Sequence, residues 1–401
     1  MEKSNLYILL GCTIDPSDQK YQHDTFFKSG VSVSNSEYER KLFNGFNELG
    51  ENFIFISAPV CGTYPLSSKR AVIKGFKSNK NLKTVHYNCT LFLRNHSKTL
   101  ALYKELSKIV KENYRNKKIH IIACELHMPY LNCLKKIKRH YNDIFTTIIA
   151  LDIPKHVNTT TKLRQFLKKK EDRKVISAVQ KVGDSFVCLT PPINSCVNKL
   201  NKPFVISQGI IEQTRIQQTS KEKDSRTHCL YIGKVDARNG IEIITNAAKL
   251  LPDIVFDICG TGDYDLSNIV NIPNIKYHGF VTQQEAEDYI ENSDIVLSPR
   301  LPFNEEYLSY SFPSKIFSYI AHNKPIITYH IPCYKDTVFE SAFIYPKGLT
   351  PRCFADCIIQ VKESGFKYPK EIYAKIIGSY SAKELAKQII NLSKTRNRHR
   401  Y

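Results

Sequence analysis

The chain has 401 residues, 42% hydrophobic and 11% aromatic, with no low-complexity tract and no apolar run near the roughly 18 residues that a membrane span requires. That composition excludes fibrous, disordered and membrane-spanning classes, and at roughly 150 residues per domain the length suits two domains. With 58 Lys and Arg against 38 Asp and Glu, the formal charge of +20 directs attention to an anionic partner or surface.

The opening "MEKSNLYILLGC" holds too short an apolar stretch for a secretory leader and reads as a first strand, so a cytoplasmic location is expected. Further strands are expected at "NFIFISAP", "KIHIIACEL", "FTTIIALDI", "SFVCLT" and "PFVISQGI", and then at "HCLYIGKV", "DIVFDICGTG", "IKYHGFV", "DIVLSPR", "KPIITYHI" and "AFIYP". These runs are continuous rather than alternating, which indicates strands buried on both faces. Helical spacing lies between them, as in "NGIEIITNAAKLL", where Ile241, Ile244, Ala248 and Leu251 share one side. Strand and helix in repeated alternation imply an α/β chain of doubly wound parallel sheets. The polar stretch 211–227 lacks apolar periodicity and reads as a linker between an N-terminal domain, 1–210, and a C-terminal one, 228–378.

Twelve cysteines in an unexported chain are expected to be reduced, and no C-x-x-C pair occurs. Cys353 and Cys357, four apart on an expected helix, suit burial better than zinc, and no metal site is expected. Dense basic runs occur at "CLKKIKRHY" (133–141), "KLRQFLKKKEDRK" (162–174) and the terminal "KTRNRHRY". They are not interleaved with stacking aromatics, so nucleic acid is not expected. In the first run Leu134, Ile137 and Tyr141 recur at helical intervals with Lys135, Lys136, Lys138 and Arg139 on the flanks. That stripe reads either as a docking face for an anionic membrane or as a core-facing side with solvated lysines.

Chemistry-bearing residues collect at strand ends, where ligands bind in such sheets. "DICGTGDY" places Gly260 and Gly262 after a strand, where missing side chains let a ligand or a backbone approach; "YIGKVDARNG" ends another with Gly233 and Lys234, and "VLSPR" a third with Arg300. In "SYSFPSKIFSYIAHNKPII" the Pro313-Ser314-Lys315 step opens a helix whose first N–H groups favour an anion, and Lys315 adds a full charge. Glycines, helix-start amides and cations together suit a diphosphate.

From residue 227 onward the chain resembles the family 4 glycosyltransferases of the GT-B fold, in "YIGKVDARNGIEII", "FDICGTGDY", "NIKYHGFVTQQEAEDYIENSDIVLSPR" and "NEEYLSYSFPSKIFSYIAHNKPII". The N-terminal half is similar more loosely, in "NSEYERKLFNGFNELGENFIFISAPVCGTYP" and "LDIPKHVN". The resemblance implies two facing Rossmann-like domains with a cleft, and a C-terminal helix, 379–401, packing back on the N-terminal domain. It implies a nucleotide-sugar donor held by the C-terminal domain, a glycan or lipid-linked acceptor on the other side, and transfer with retention in surface-polysaccharide synthesis. No cofactor and no essential metal are implied, and peripheral attachment to the inner face of the membrane is expected.

The resemblance also assigns residues. His127, Lys234 and Lys315 become catalytic candidates, with Gly233, Arg238, Gly260, Gly262, Arg300, Glu306, Ser311, Phe312, Pro313, Ser314 and Ser318 on the donor side. Ser34, Asn35 and Asp152 fall on the acceptor side. The chain departs from the family's two glutamates, replaced by Tyr310 and Ser318, which leaves the ribose contact to the Ser318 hydroxyl or to a neighbour such as Glu306. An epimerase of the same architecture and an inactive sugar-nucleotide-binding scaffold are the competing readings.

Overall fold

A computed structural model describes residues 3–28, 34–153, 162–212, 225–303, 305–366 and 368–395. Most of the expected linker, 213–224, and the last six residues of the terminal basic run lie outside them. The chain divides into two compact units, Met1–Ile210 with Ser381–Tyr401, and Ile211–Tyr380.

In the first unit the strands are β1 (Ser4–Gly11), β2 (Phe53–Ser57), β3 (Val72–Ile73), β4 (Leu82–Thr84), β5 (Tyr87–Asn88), β6 (Lys117–Cys124), β7 (Phe145–Ala150), β8 (Ser185–Cys188) and β9 (Phe204–Ile206). Seven form one parallel sheet in the order β4-β2-β1-β6-β7-β8-β9, while β3 and β5 pair separately as an antiparallel couple. Its helices are α1 (Gln19–Phe26), α2 (Ser34–Glu48), α3 (Arg94–Asn113), α4 (Met128–His140), α5 (Lys162–Val182) and α6 (Pro191–Val197). Strand β1 lies near the middle, with Tyr7 opposite Phe53 on one side and His120 on the other. Alternate residues point to opposite faces, so Tyr7 and Leu9 join a core with Leu42 and Phe46 of α2, while Leu6, Ile8 and Leu10 are equally buried behind it.

The second unit carries β10 (Thr227–Ile232), β11 (Ile254–Cys259), β12 (Ile275–Gly279), β13 (Ile295–Ser298) and β14 (Ile326–Thr328), all parallel in the order β12-β11-β10-β13-β14. Helices α7 (Ile241–Leu250), α8 (Ser267–Val270), α9 (Gln283–Asn292), α10 (Glu305–Ser309), α11 (Lys315–Ala321), α12 (Pro351–Ser364) and α13 (Lys370–Ser379) belong to it. Ile241, Ile244, Ala248 and Leu251 are all buried, as their spacing requires. The Ile211 amide donates to the Tyr380 carbonyl at 2.8 Å, so the chain enters and leaves this unit at one point.

The last helix, α14 (Ala382–Thr395), belongs to the first unit and lays Leu385, Ala386 and Ile389 into the core built on α2. Two sequence expectations need correction, and one left open is decided. "AFIYP" is not a strand: Ile344 makes a single bridge to Ile327. The stripe on α4 is not open for docking, because Leu134 and Ile137 are fully buried and Tyr141 packs on Tyr114. Lys138, read as a flanking cation, is tied to Asp184 at 2.6 Å. Strand β4 escaped notice because its three residues sit in lysine-rich sequence without an apolar run.

Helices α2 and α14 approach so closely that a Cβ on Gly45 would lie 2.1 Å from the Ala382 carbonyl oxygen. Gly45→Ala is therefore expected to destabilise the first unit by about 1–3 kcal/mol through overpacking. Urea unfolding checks this, and an unchanged midpoint would show that α14 can move aside without loss.

Candidate functional site

In the second unit the turns after β10, β11 and β13 are bound together by backbone. Gly233 N–H donates to the Cys259 carbonyl at 3.0 Å, Val235 to Thr261 at 3.1 Å and Tyr264 to Val235 at 3.1 Å. A Cβ on Gly260, whose φ is +134°, would stand 1.8 Å from the Gly233 carbonyl oxygen, and one on Gly262 2.0 Å from that of Val235. These two glycines thus answer to a neighbouring loop's backbone rather than to open space for a ligand. The turn after β13 joins through Leu301, whose amide donates to the Arg238 carbonyl at 3.1 Å.

On this framework the cations are held in different ways. Lys234 lies 3.0 Å from Asp236 and 3.5 Å from Asp263, and the hydrogen bond to Asp236 leads in pushing its pKa up. Arg300 donates to the Ser311 hydroxyl at 3.1 Å and stacks over Tyr307, while Arg238 lies over Phe303. Lys315 is the first residue of α11 and lies near enough to Cys259, at the end of β11, to oppose the rise that burial imposes on that thiol. Ser314 is exposed at the N-cap with Pro313 half-buried before it. Phe312 needs correction: it is buried among Phe317, Tyr334 and Phe339, so it fixes this loop and does not line a ligand surface.

The carboxylate that meets Ser318 is Glu287 of α9. The Ser318 hydroxyl donates to Glu287 Oε1 at 3.4 Å, and His322 Nε2 lies 3.4 Å from Glu287 Oε2. Glu306, the neighbour suggested by the sequence, is exposed on α10. Nothing in α9 marks Glu287 as Ser318's partner, since 31 positions separate them.

A second cluster sits at the carboxyl ends of β1 and β6 in the first unit. His127 caps α4 and its Nε2 lies 3.5 Å from Lys98 Nζ. Burial, then the charges of Lys98 and Arg94, hold the imidazole well below its ordinary pKa, so it is neutral. Asn35 donates to the Glu125 carboxylate, and Glu125 itself has φ +111° at the end of β6. Asp152 is exposed and accepts from the Ile153 amide at 2.8 Å. Ser34 begins α2, its side chain lying outside the described residues.

The sequence reading missed Glu39 and Lys98, though both left a signal. Glu39 precedes Leu42 and Phe46 by three and seven residues on the buried stripe of α2, and Lys98 precedes Leu102 and Leu106 by four and eight on that of α3. A charged residue on an apolar stripe must find partners. Glu39 Oε2 takes the amides of Cys12 at 2.8 Å and Thr13 at 2.7 Å, and burial, followed by the Glu125 charge, pushes its carboxyl up to about 8. Lys98 is lowered chiefly by burial.

Cys12, Glu39 and Glu125 bring ligand atoms within 4.8 Å of one another. One Glu39 oxygen is already filled by two amides, and Lys98 lies beside Cys12 and Glu125.

Residues 212–381, which all but coincide with the second unit, match the family described as "Glycosyl transferases group 1". Over 167 residues the chain is 26% identical to TuaH of Bacillus subtilis (strain 168), a glycosyltransferase named for teichuronic acid biosynthesis, covering 40% of this chain and 41% of that relative's length. The whole chain superposes on sucrose-phosphate synthase of Thermosynechococcus elongatus with a TM-score of 0.60 at 13% identity, covering 98% and 99% of the two chains. Anabaena HepE, solved with UDP and glucose, gives 0.55 at 11% identity over 98% of each chain. The fold is GT-B, with two Rossmann-like domains.

A neutral Glu39 has a consequence for stability. A carboxyl that stays protonated to about 8 when folded but ionises near 4.3 when unfolded keeps its full contribution below about 4.3 and loses it as pH rises to about 8. Glu39→Gln keeps the acceptor for both amides and cannot ionise. Its melting temperature is expected to fall less than that of wild type between pH 5 and 8, by about the slope of one proton; parallel curves would mean that Glu39 is ionised in the folded chain.

Proposed function

We propose that the chain is a glycosyltransferase that moves a sugar from a nucleoside-diphosphate donor to a glycan or lipid-linked acceptor in surface-polysaccharide synthesis, with retention. The observation that carries this is the family match over 212–381, which spans the turns and the helix start that bear Lys234, Arg300 and Lys315. The name of the Bacillus relative and the UDP and glucose of the Anabaena protein support it.

As the bond between the anomeric carbon and the donor phosphate oxygen breaks, negative charge builds on the diphosphate, and fixed cations stabilise that state more than the ground state. Arg300 and Lys315 act there, with Lys234 shared between phosphate and its two aspartates. The acceptor hydroxyl attacks from the face that the phosphate leaves, its oxygen bonding to the anomeric carbon and its proton passing to the departing phosphate oxygen. No metal is required in this reading, because side-chain cations carry the charge. Ser318 with Glu287 offers a hydroxyl and a carboxylate for the ribose, and neutral His127 serves the hydroxyls of the transferred sugar.

A panel of nucleoside diphosphates and their sugars tests the reading directly. One should raise the melting temperature, since a ligand stabilises by RT ln(1 + [L]/Kd), and an acceptor should stimulate release of its nucleoside diphosphate. Turnover of donor to an isomer without acceptor would make the chain an epimerase; binding without turnover would make it a scaffold.

Lys315→Ala is expected to lower kcat/KM by about 10²- to 10³-fold with folding intact, by removing one cation from developing charge. Turnover within a few-fold of wild type would remove Lys315 from the site. His127→Ala should impair transfer while leaving nucleoside-diphosphate affinity nearly unchanged; equal losses, by calorimetry and product formation, would contradict the division between the units.

A further inference from the structure

Two loops of the first unit lie side by side and point apolar side chains at water. The Tyr64 amide donates to the Cys89 carbonyl at 3.0 Å, and Tyr64 bridges Thr90. Just past this seam, Tyr64, Pro65 and Leu66 on one loop and Leu91, Phe92 and Leu93 on the other are all exposed, Leu66 by 73% and Phe92 by 90%. The second loop is a tight turn into α3, with Leu93 and Arg94 amides both donating to the Thr90 carbonyl, so Leu91 and Phe92 are held outward at its corner. Adjacent exposed apolar side chains of this size mark a contact surface.

Positive charge predominates around them, although Asp24 lies near Lys69. Between Glu51 and Glu105 the chain has no acidic residue and nine Lys and Arg. Lys28 donates through Nζ to the Pro65 carbonyl at 2.5 Å, and Arg94 to the Thr63 hydroxyl at 2.8 Å, which fixes both cations beside the apolar tip. Lys69 and Arg70 follow the first loop and are exposed.

We infer that this face docks the protein reversibly on an anionic phospholipid leaflet, with Leu66, Phe92 and their neighbours entering the headgroup boundary and Lys28, Lys69, Arg70 and Arg94 meeting lipid phosphates. A second copy of the chain is a poor occupant, since it would bring the same cations against these. The docking surface is separate from α4, whose apolar stripe is buried, and attachment does not depend on the reaction proposed above.

Cosedimentation with phosphatidylcholine vesicles, with and without phosphatidylglycerol, tests the inference. Wild type should partition onto the anionic vesicles alone and leave them as salt rises from about 0.1 M to 1 M. Phe92→Glu and Leu66→Glu should each weaken partitioning about tenfold with an unchanged melting temperature. Phe280→Glu, at a residue 65% exposed in the other unit, should bind like wild type. Equal partitioning of wild type and Phe92→Glu, or equal loss in Phe280→Glu, overturns the inference. So does a concentration-dependent dimer that Phe92→Glu abolishes in the absence of vesicles.

Discussion

A parallel strand reaches its neighbour only by crossing over, and this requirement puts every strand-to-helix turn of a sheet along one edge. In the second unit that edge is where the turns after β10, β11 and β13 meet, and their meeting is a matter of backbone packing. Gly260 against the Gly233 carbonyl and Gly262 against that of Val235 leave no room for a side chain. Because backbone hydrogen bonds tie these turns together, the backbone positions of Lys234 and Arg300 are fixed. Arg300 is oriented further by Ser311 and Tyr307, and the loop before Lys315 by the buried ring of Phe312. In the reaction proposed above, such placement is what stabilisation of developing charge calls for, since less reorganisation then opposes the reaction step.

Much of this was legible in the sequence for a simple physical reason. Strands buried on both faces must be apolar throughout, and β1, β6, β7, β10 and β11 announce themselves in this way. Helix α7 shows its buried side at the expected spacing. Elements of two or three residues, such as β3, β4 and β5, have no room for a pattern. The α4 stripe was ambiguous in principle, because a core-facing helix and an interfacial helix share one amphipathic code. Only the positions of α3 and α5 beside it decide which is meant.

The site was legible to a different depth in each unit. Lys315 and Arg300 could be found because they close strand and helix signals. The pairing of Glu287 with Ser318 and of Asn35 with Glu125 joins residues 31 and 90 positions apart, which no local pattern encodes. Glu39 and Lys98 lie between these cases: each breaks the apolar stripe of its helix, and the break itself is the evidence that a partner waits in the core.

The two strand-end clusters differ in electrical character. In the second unit the hydrogen bond to Asp236, with Asp263 beside it, raises the Lys234 pKa and favours its charged form. In the first, burial works toward neutrality: Glu39 retains its proton, His127 lacks its second, and Lys98 is lowered. A diphosphate calls for full charges, because only they offset its growing negative charge. Sugar hydroxyls call instead for neutral donors and acceptors, since a full charge among them would have to be desolvated without a counter-ion. The contrast supports the reading proposed above, in which the second unit takes the diphosphate and the first the sugar hydroxyls, on the chemistry of each cluster taken by itself.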